Sequence, residues 1–193
     1  MSVNMTKGQK VSLAKRGGGS LTVVRMGLGW DAVKKKGLFG GMKSQTIDLD
    51  ASALLFDGAG RLVDAVWFRQ LQSRDGSVRH TGDNLTGDGD GDDESVVVDL
   101  TRLSPGTTQI VFTVNSFTGQ DFSQIENAFC RLVDETTGEE LARYDLSGSG
   151  RHNAQIMAKV SRAGSGEWTM TAIGAVASGR TVQDLVPATA AHL

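Results

Sequence analysis

Thr46-Ile47-Asp48-Leu49-Asp50-Ala51-Ser52-Ala53-Leu54-Leu55-Phe56 is the stretch that decides the fold class. Ile47, Leu49, Ala51, Ala53 and Leu55 fall on one face of an extended chain, and Asp48, Asp50 and Ser52 on the other. Side chains of a strand alternate with period two, so the segment predicts a strand with one buried face. The turn Asp57-Gly58-Ala59-Gly60 ends it, and a second strand is expected over 62–69. The pattern continues outward in both directions. Val11 and Leu13 alternate with Ser12 and Ala14, and a run over 21–28 follows Gly17-Gly18-Gly19. Further strand-like runs occupy 95–100, 109–117, 128–134, 141–146, 155–162 and 168–175. Many short strands separated by glycine turns predict an all-β protein, an antiparallel β-sandwich of two sheets. Helical signal is thin: 123–127 reads as one short turn, and 34–41 as a mobile loop. Residues after Ser178 read as a frayed tail, in which Val182, Leu185 and Val186 have helical spacing. A single domain over 1–193 is expected, with a core at about 6–176 and a tail at 177–193.

Composition narrows the function classes. The chain has 193 residues, 39% hydrophobic and 22% charged, which suffices for a core. A formal net charge of -2 argues against a broad basic surface for nucleic acid. The single cysteine excludes an internal disulfide and cysteine-built zinc sites. Cys130 shares a strand face with Ala128 and Leu132, which fits a small core residue rather than a redox centre. No run approaches the roughly 20 apolar residues of a membrane-spanning helix. The N-terminal residues lack the apolar region of a secretory signal, so a cytoplasmic location is expected.

One segment departs from ordinary composition: Gly82-Asp83-Asn84-Leu85-Thr86-Gly87-Asp88-Gly89-Asp90-Gly91-Asp92-Asp93-Glu94. Six carboxylates lie there with no Lys or Arg among them. Two unit charges 4 Å apart repel by about 4 kcal/mol at an effective dielectric near 20. Such a loop needs a cation or an open, solvated conformation. The interleaved glycines permit sharp turns that aim carbonyls and carboxylates at one point. Calcium, which takes about six to eight oxygen ligands in flexible geometry, suits this set better than magnesium. Zinc and copper would want His or Cys. The loop is not an EF-hand: Asp88, Asp90 and Asp92 match the first, third and fifth positions, but Asp93 replaces the glycine and Asp99 the closing Glu. The bland alternative is a solvated acidic turn. Asp31, at a strand end, is placed to meet the loop at one end of the sandwich. Asp48 and Asp50 are two further carboxylates, and for Asp48 plain solvent exposure is expected.

At this loop the chain resembles the tellurium-resistance TerD family of bacterial stress proteins. The matching pieces are Lys7-Gly8-Gln9-Lys10-Val11-Ser12-Leu13, Gly27-Leu28-Gly29-Trp30-Asp31, Asp48-Leu49-Asp50-Ala51-Ser52-Ala53 and His80-Thr81-Gly82-Asp83-Asn84-Leu85-Thr86-Gly87, running on to Gly91-Asp92-Asp93-Glu94. Asn127-Ala128-Phe129, Arg131-Leu132-Val133-Asp134 and Trp168 also fit, so the resemblance spans about 6–176. It implies a β-sandwich with calcium at two adjacent sites at one end and no catalytic activity. It also implies a role in resistance to tellurite and other chemical stress. By position it places metal binding on Asp31, Asp50, Asp83, Asn84, Asp90, Asp92, Asp93 and Glu94, and on Gly87 through its carbonyl. Asp88 is expected at the rim.

Two function classes follow from one acidic loop. The first is a calcium-binding interaction module with protein partners, possessing no enzyme activity. The second is a metal-dependent phosphoesterase, since close metals on carboxylates can drive phosphoryl transfer. A serine-nucleophile reading of Ser77, His80 and Asp83 lacks the strained turn such a nucleophile needs. His80 is expected at a strand end on the surface.

Overall fold

A computed structural model of the chain describes residues 3–4, 6, 9–12, 20–31, 33–36, 42–45, 47–85, 91–147 and 150–193. The strands in chain order are β1 (Val3–Asn4), β2 (Lys10–Ser12), β3 (Val23–Asp31), β4 (Val33–Lys36), β5 (Met42–Gln45), β6 (Leu49–Phe56), β7 (Leu62–Val66), β8 (Val78–His80), β9 (Glu94–Asp99), β10 (Gln109–Ser116), β11 (Glu126–Asp134), β12 (Glu139–Asp145), β13 (Ala154–Arg162) and β14 (Trp168–Ala177). One α-helix, α1, spans Val182–Thr189. One sheet has the order β1-β12-β11-β3-β9-β8, the other β2-β14-β13-β10-β6-β7, and β4-β5 form a separate hairpin. Pairing is antiparallel throughout except for the short parallel contact of β1 with β12. The expected antiparallel two-sheet sandwich is therefore the fold.

The main core lies between the sheets. Val24, Met26, Leu28 and Trp30 of β3 meet Leu49, Ala51, Ala53 and Leu55 of β6, with Phe112 and Leu132 also in this cluster. Cys130 is buried in it, and burial pushes its thiol up to about 12, which makes it an inert core residue.

The second sheet is also covered on its far side. Leu54, Phe56, Val111, Ile156 and Ile173 form a second apolar cluster with Val182 and Leu185 of α1. The expected frayed tail is thus a docked helix from 182 onward. Asp184 secures its start by accepting from the backbone N–H groups of Arg180 and Thr181, at 2.9 and 3.0 Å. Of the mobile loop expected over 34–41, residues 34–36 pair instead with 42–44 in the β4-β5 hairpin, and 37–41 lie outside the described residues. The short helical turn expected at 123–127 is a 3-10 turn at Phe122–Gln124, one residue before the β11 bulge region begins to pair.

Register brings the chemistry to one end. Leu28 near the end of β3 pairs with Glu94 at the start of β9. His80 at the end of β8 pairs with Val96. In the other sheet Ser116 at the end of β10 pairs with Leu49 at the start of β6. Antiparallel order therefore gathers the ends of β3, β8 and β10 and the starts of β6, β9 and β11 at the same end of the sandwich.

Candidate metal centre

Asp48, Asp50 and Asp83 converge at that end, each offering a carboxylate oxygen within 4.8 Å of the others. Asp48 and Asp50 are two residues apart at the mouth of β6, so they project to the same side. Asp83 comes from the β8-β9 connection and is exposed. Asp48 is 9% and Asp50 3% exposed, so the solvent exposure expected for Asp48 is not found. Asp50 Oδ2 accepts from Asn115 Nδ2 at 2.7 Å, its direct neighbour on β10. The same amide donates to the Arg180 carbonyl at 2.8 Å, linking the site to the segment before α1.

Charge at this cluster is not balanced. Burial, then Glu94 and Asp48, push Asp50 up to about 8. Burial, then Asp83 and Glu94, push Asp48 up to about 6. Asp48 Oδ1 and Asn115 Oδ1 are buried and accept no hydrogen bond among the described residues. Buried oxygens without donors are costly and rare in native structures. Three carboxylates plus neutral amide oxygens form a hard, oxygen-only donor set. That set fits a calcium-class cation and lacks the nitrogen or sulfur that zinc or copper prefers.

Glu94 stands behind the triad and holds two sheets together. β7 pairs with β6 only from Ala53 onward, so the edge of β6 is bare at Ala51. Glu94 Oε2 accepts from the Ala51 N–H at 2.7 Å, and His80 Nε2 lies 3.1 Å from the Ala51 carbonyl and 3.3 Å from Glu94 Oε2. His80 Nδ1 accepts from the Gly82 N–H at 3.1 Å, which leaves Nε2 as the protonated nitrogen. Glu94 Oε1 accepts from the Asn84 N–H at 3.1 Å. His80 is therefore buried inside the sandwich, not on a strand-end surface, and both Glu94 oxygens face protein donors.

The other sequence-derived candidates divide. Asn84 Nδ2 donates to Asp93 Oδ1 at 3.0 Å, and Asp93 Oδ2 accepts from the Trp30 N–H at 2.9 Å, so both flank the site from the loop side. Asp92 is occupied elsewhere: its carboxylate accepts from Arg131 Nε at 2.6 Å and is also paired with Arg25. It lies over Gly27, where any Cβ would collide with it, on the outer face of the first sheet. Asp31 is exposed and accepts from Asn127 Nδ2 at 2.6 Å. It lines a separate cavity of about 620 Å³ with Gly91, Asn127 and Asp145. Asn127 sits there at φ 51, a left-handed conformation that asparagine tolerates better than most residues. Gly87, Asp88 and Asp90 lie outside the described residues. Asp48, for which the sequence predicts exposure, is brought into the cluster by the structure.

Known proteins share both sequence and fold with this chain. The family model described as TerD domain matches residues 1–187. The chain is 49% identical over 185 residues to the tellurium resistance protein TerZ of Serratia marcescens, covering 95% of this chain and 94% of that protein. It is 39% identical to the stress response protein SCP2 of Bacillus subtilis (strain 168), covering 96% of this chain and 98% of the relative. The crystal structure of a TerD homologue from Streptomyces coelicolor A3(2) superposes with a TM-score of 0.72 at 22% identity, covering 86% of this chain and 96% of that one. At that identity the structural likeness speaks to the fold alone.

Proposed function

The chain belongs to the TerD family, and from that premise we propose that it is a calcium-binding, non-catalytic interaction module of a bacterial chemical-stress or tellurite-resistance response, working in the cytoplasm. The carrying observation is the convergence of Asp48, Asp50 and Asp83, two of them buried, with no basic side chain in the group. These three would hold one ion, with Asn84 and Asp93 beside them. Asp31, with Gly87 and Asp90 of the acidic loop, would serve a second. Glu94 and Asp92 act as frame: each is committed to protein donors. Bound calcium would neutralise the end of the sandwich, turning an anionic surface into one that a protein partner can dock on. The names of relatives as resistance and stress proteins support the cellular setting. No helix among the described residues is long and apolar enough to cross a membrane.

Thermal unfolding of metal-stripped protein across a calcium titration tests this. A ligand at about 100 times its dissociation constant adds roughly 2.7 kcal/mol. For a domain of this size that is a rise of roughly 5–11 °C. Magnesium is expected to do much less, because it demands a near-ideal octahedron. No calcium shift, with stripping verified by elemental analysis, overturns the proposal. The reloaded protein is also expected to leave p-nitrophenyl phosphate intact; turnover would move the reading to a phosphoesterase.

A further inference from the structure

The far side of the second sheet is apolar over most of its area, but its β2 corner is not. There the ladder places Lys159 of β13 beside Thr171 of β14, and Thr171 beside Lys10 of β2. The next rung places Ser161 beside Thr169. Adjacent strands are about 4.8 Å apart, so the two lysines flank Thr171 at backbone positions about 10 Å from each other. Like charges on one sheet face repel, and among the described residues nothing acidic lines the space between them. That space is a groove of about 320 Å³, walled on one side by Ile173 and His192. It is independent of the acidic end: no triad residue borders it.

Lys159 is fixed in place, while Lys10 is exposed. Lys159 is half-buried, and its Nζ donates to the His192 carbonyl at 2.6 Å, which fixes the ammonium over the groove. Two of its three N–H donors remain for a ligand. Ser161 Oγ and Thr169 Oγ1 lie 3.4 Å apart and supply hydroxyl donors beside it. Burial and the charge of Lys10 both depress the Lys159 ammonium, a cost that a bound anion would remove.

We propose that this groove binds a phosphate-class oxyanion, held between Lys10 and Lys159 and hydrogen-bonded by the Thr171, Thr169 and Ser161 hydroxyls. Two cations flanking a hydroxyl match a doubly charged, multi-acceptor group, and compact ammonium groups are common phosphate binders. The groove volume falls within the range of small-molecule sites, about 300–1,000 Å³, so the anion has room to carry an organic portion.

The test follows backbone amide shifts of Lys10, Lys159, Thr169 and Thr171 by NMR during titration with inorganic phosphate, and separately with glycerol 3-phosphate, at constant ionic strength and without calcium. Saturable shifts at these amides in the millimolar range or tighter are expected. Lys10→Gln and Lys159→Gln should each weaken binding about tenfold, the loss of one charge-assisted hydrogen bond. Arg79→Gln removes an exposed charge from the other sheet and should leave binding unchanged. Tighter binding of the monoester assigns the groove to phosphorylated small molecules, and equal binding assigns it to the free ion; either supports the proposal. Non-saturating shifts overturn it. An Arg79→Gln variant that binds as weakly as the two lysine variants also overturns it, since the attraction would then be diffuse.

Discussion

Asp50→Asn is expected to stabilise the metal-free protein near pH 8 and, in the same molecule, to remove most of its stabilisation by calcium. The first effect follows from the direction of the Asp50 shift. Its folded value is pushed from 3.8 up to about 8 by burial and by the neighbouring carboxylates. A raised folded value means that the native state holds its proton more tightly than the unfolded chain does. The stability this contributes is complete below the ordinary value and is lost as pH rises through the raised one. The metal-free protein should therefore lose stability progressively between about pH 4 and pH 8 through this group. At about 1.4 kcal/mol per pH unit, a rise from 3.8 to about 8 would amount to roughly 6 kcal/mol. Halving it for screening and for coupling among the carboxylates still leaves about 3 kcal/mol at the alkaline end. Asparagine carries no charge, keeps an acceptor for Asn115 Nδ2, and so escapes the loss.

The second effect has the opposite sign. Calcium draws its binding energy from the charges that destabilise the empty site, so neutralising the more buried one weakens the ion's hold. Melting curves of wild type and Asp50→Asn, each with and without calcium at about pH 5 and pH 8, check both. The variant should have the flatter pH profile, the higher metal-free melting temperature at pH 8, and the smaller calcium shift. A variant less stable than wild type under metal-free alkaline conditions would mean that Asp50 serves as a hydrogen-bonded structural carboxylate rather than as part of an uncompensated cluster.

The alternation in 46–56 was enough to place β6 and to choose its inward face, because period-two burial leaves a direct trace in the sequence. It misled about the other face. Polar residues at Asp48, Asp50 and Ser52 suggested water there, yet every residue of β6 is buried. The correcting signal was present in Leu54 and Phe56, which share that face and break its polarity. They require an apolar partner layer, and Val182 and Leu185 of α1 supply it. The docked tail and the burial of Asp48 therefore have one physical cause: β6 is buried on both faces, and alternation displays only one of them. Asp92 shows a different limit. Spacing within the acidic loop could not tell which carboxylates face a cation. The neighbours could: Arg25 and Gly27 lie two apart on β3, a cation beside a space without a side chain, and Arg131 arrives from β11 on the register partner of Gly27. Long-range pairing makes that pocket, and local sequence does not display it.

Glu94→Ala is expected to cost about 3 kcal/mol, the scale of removing the acceptor from several buried donors, each worth roughly 1–3. In a chain of this size that is a fall of roughly 6–12 °C in melting temperature. The donors are the Ala51 and Asn84 N–H groups and His80 Nε2, the last of which is shared with the Ala51 carbonyl at 3.1 Å. Burial pushes Glu94 up, but three donors aimed at its two oxygens oppose protonation, since a carboxylic acid would turn its own O–H toward another donor. The same reasoning makes Glu94→Gln a sharp control. Its amide NH2 must face either Asn84 N–H or the Ala51 and His80 donors. Turning His80 to its other tautomer relieves the contact at Nε2, but it sets Nδ1–H against the Gly82 N–H. Glutamine should therefore be nearly as destabilising as alanine, although it fills the same volume. Because Glu94 ties Ala51 to Asn84, both variants should also blunt the calcium shift without removing a triad carboxylate. A glutamine variant as stable as wild type, with its calcium response intact, would show that Glu94 is protonated in the native protein and that the junction of the two sheets does not depend on its charge.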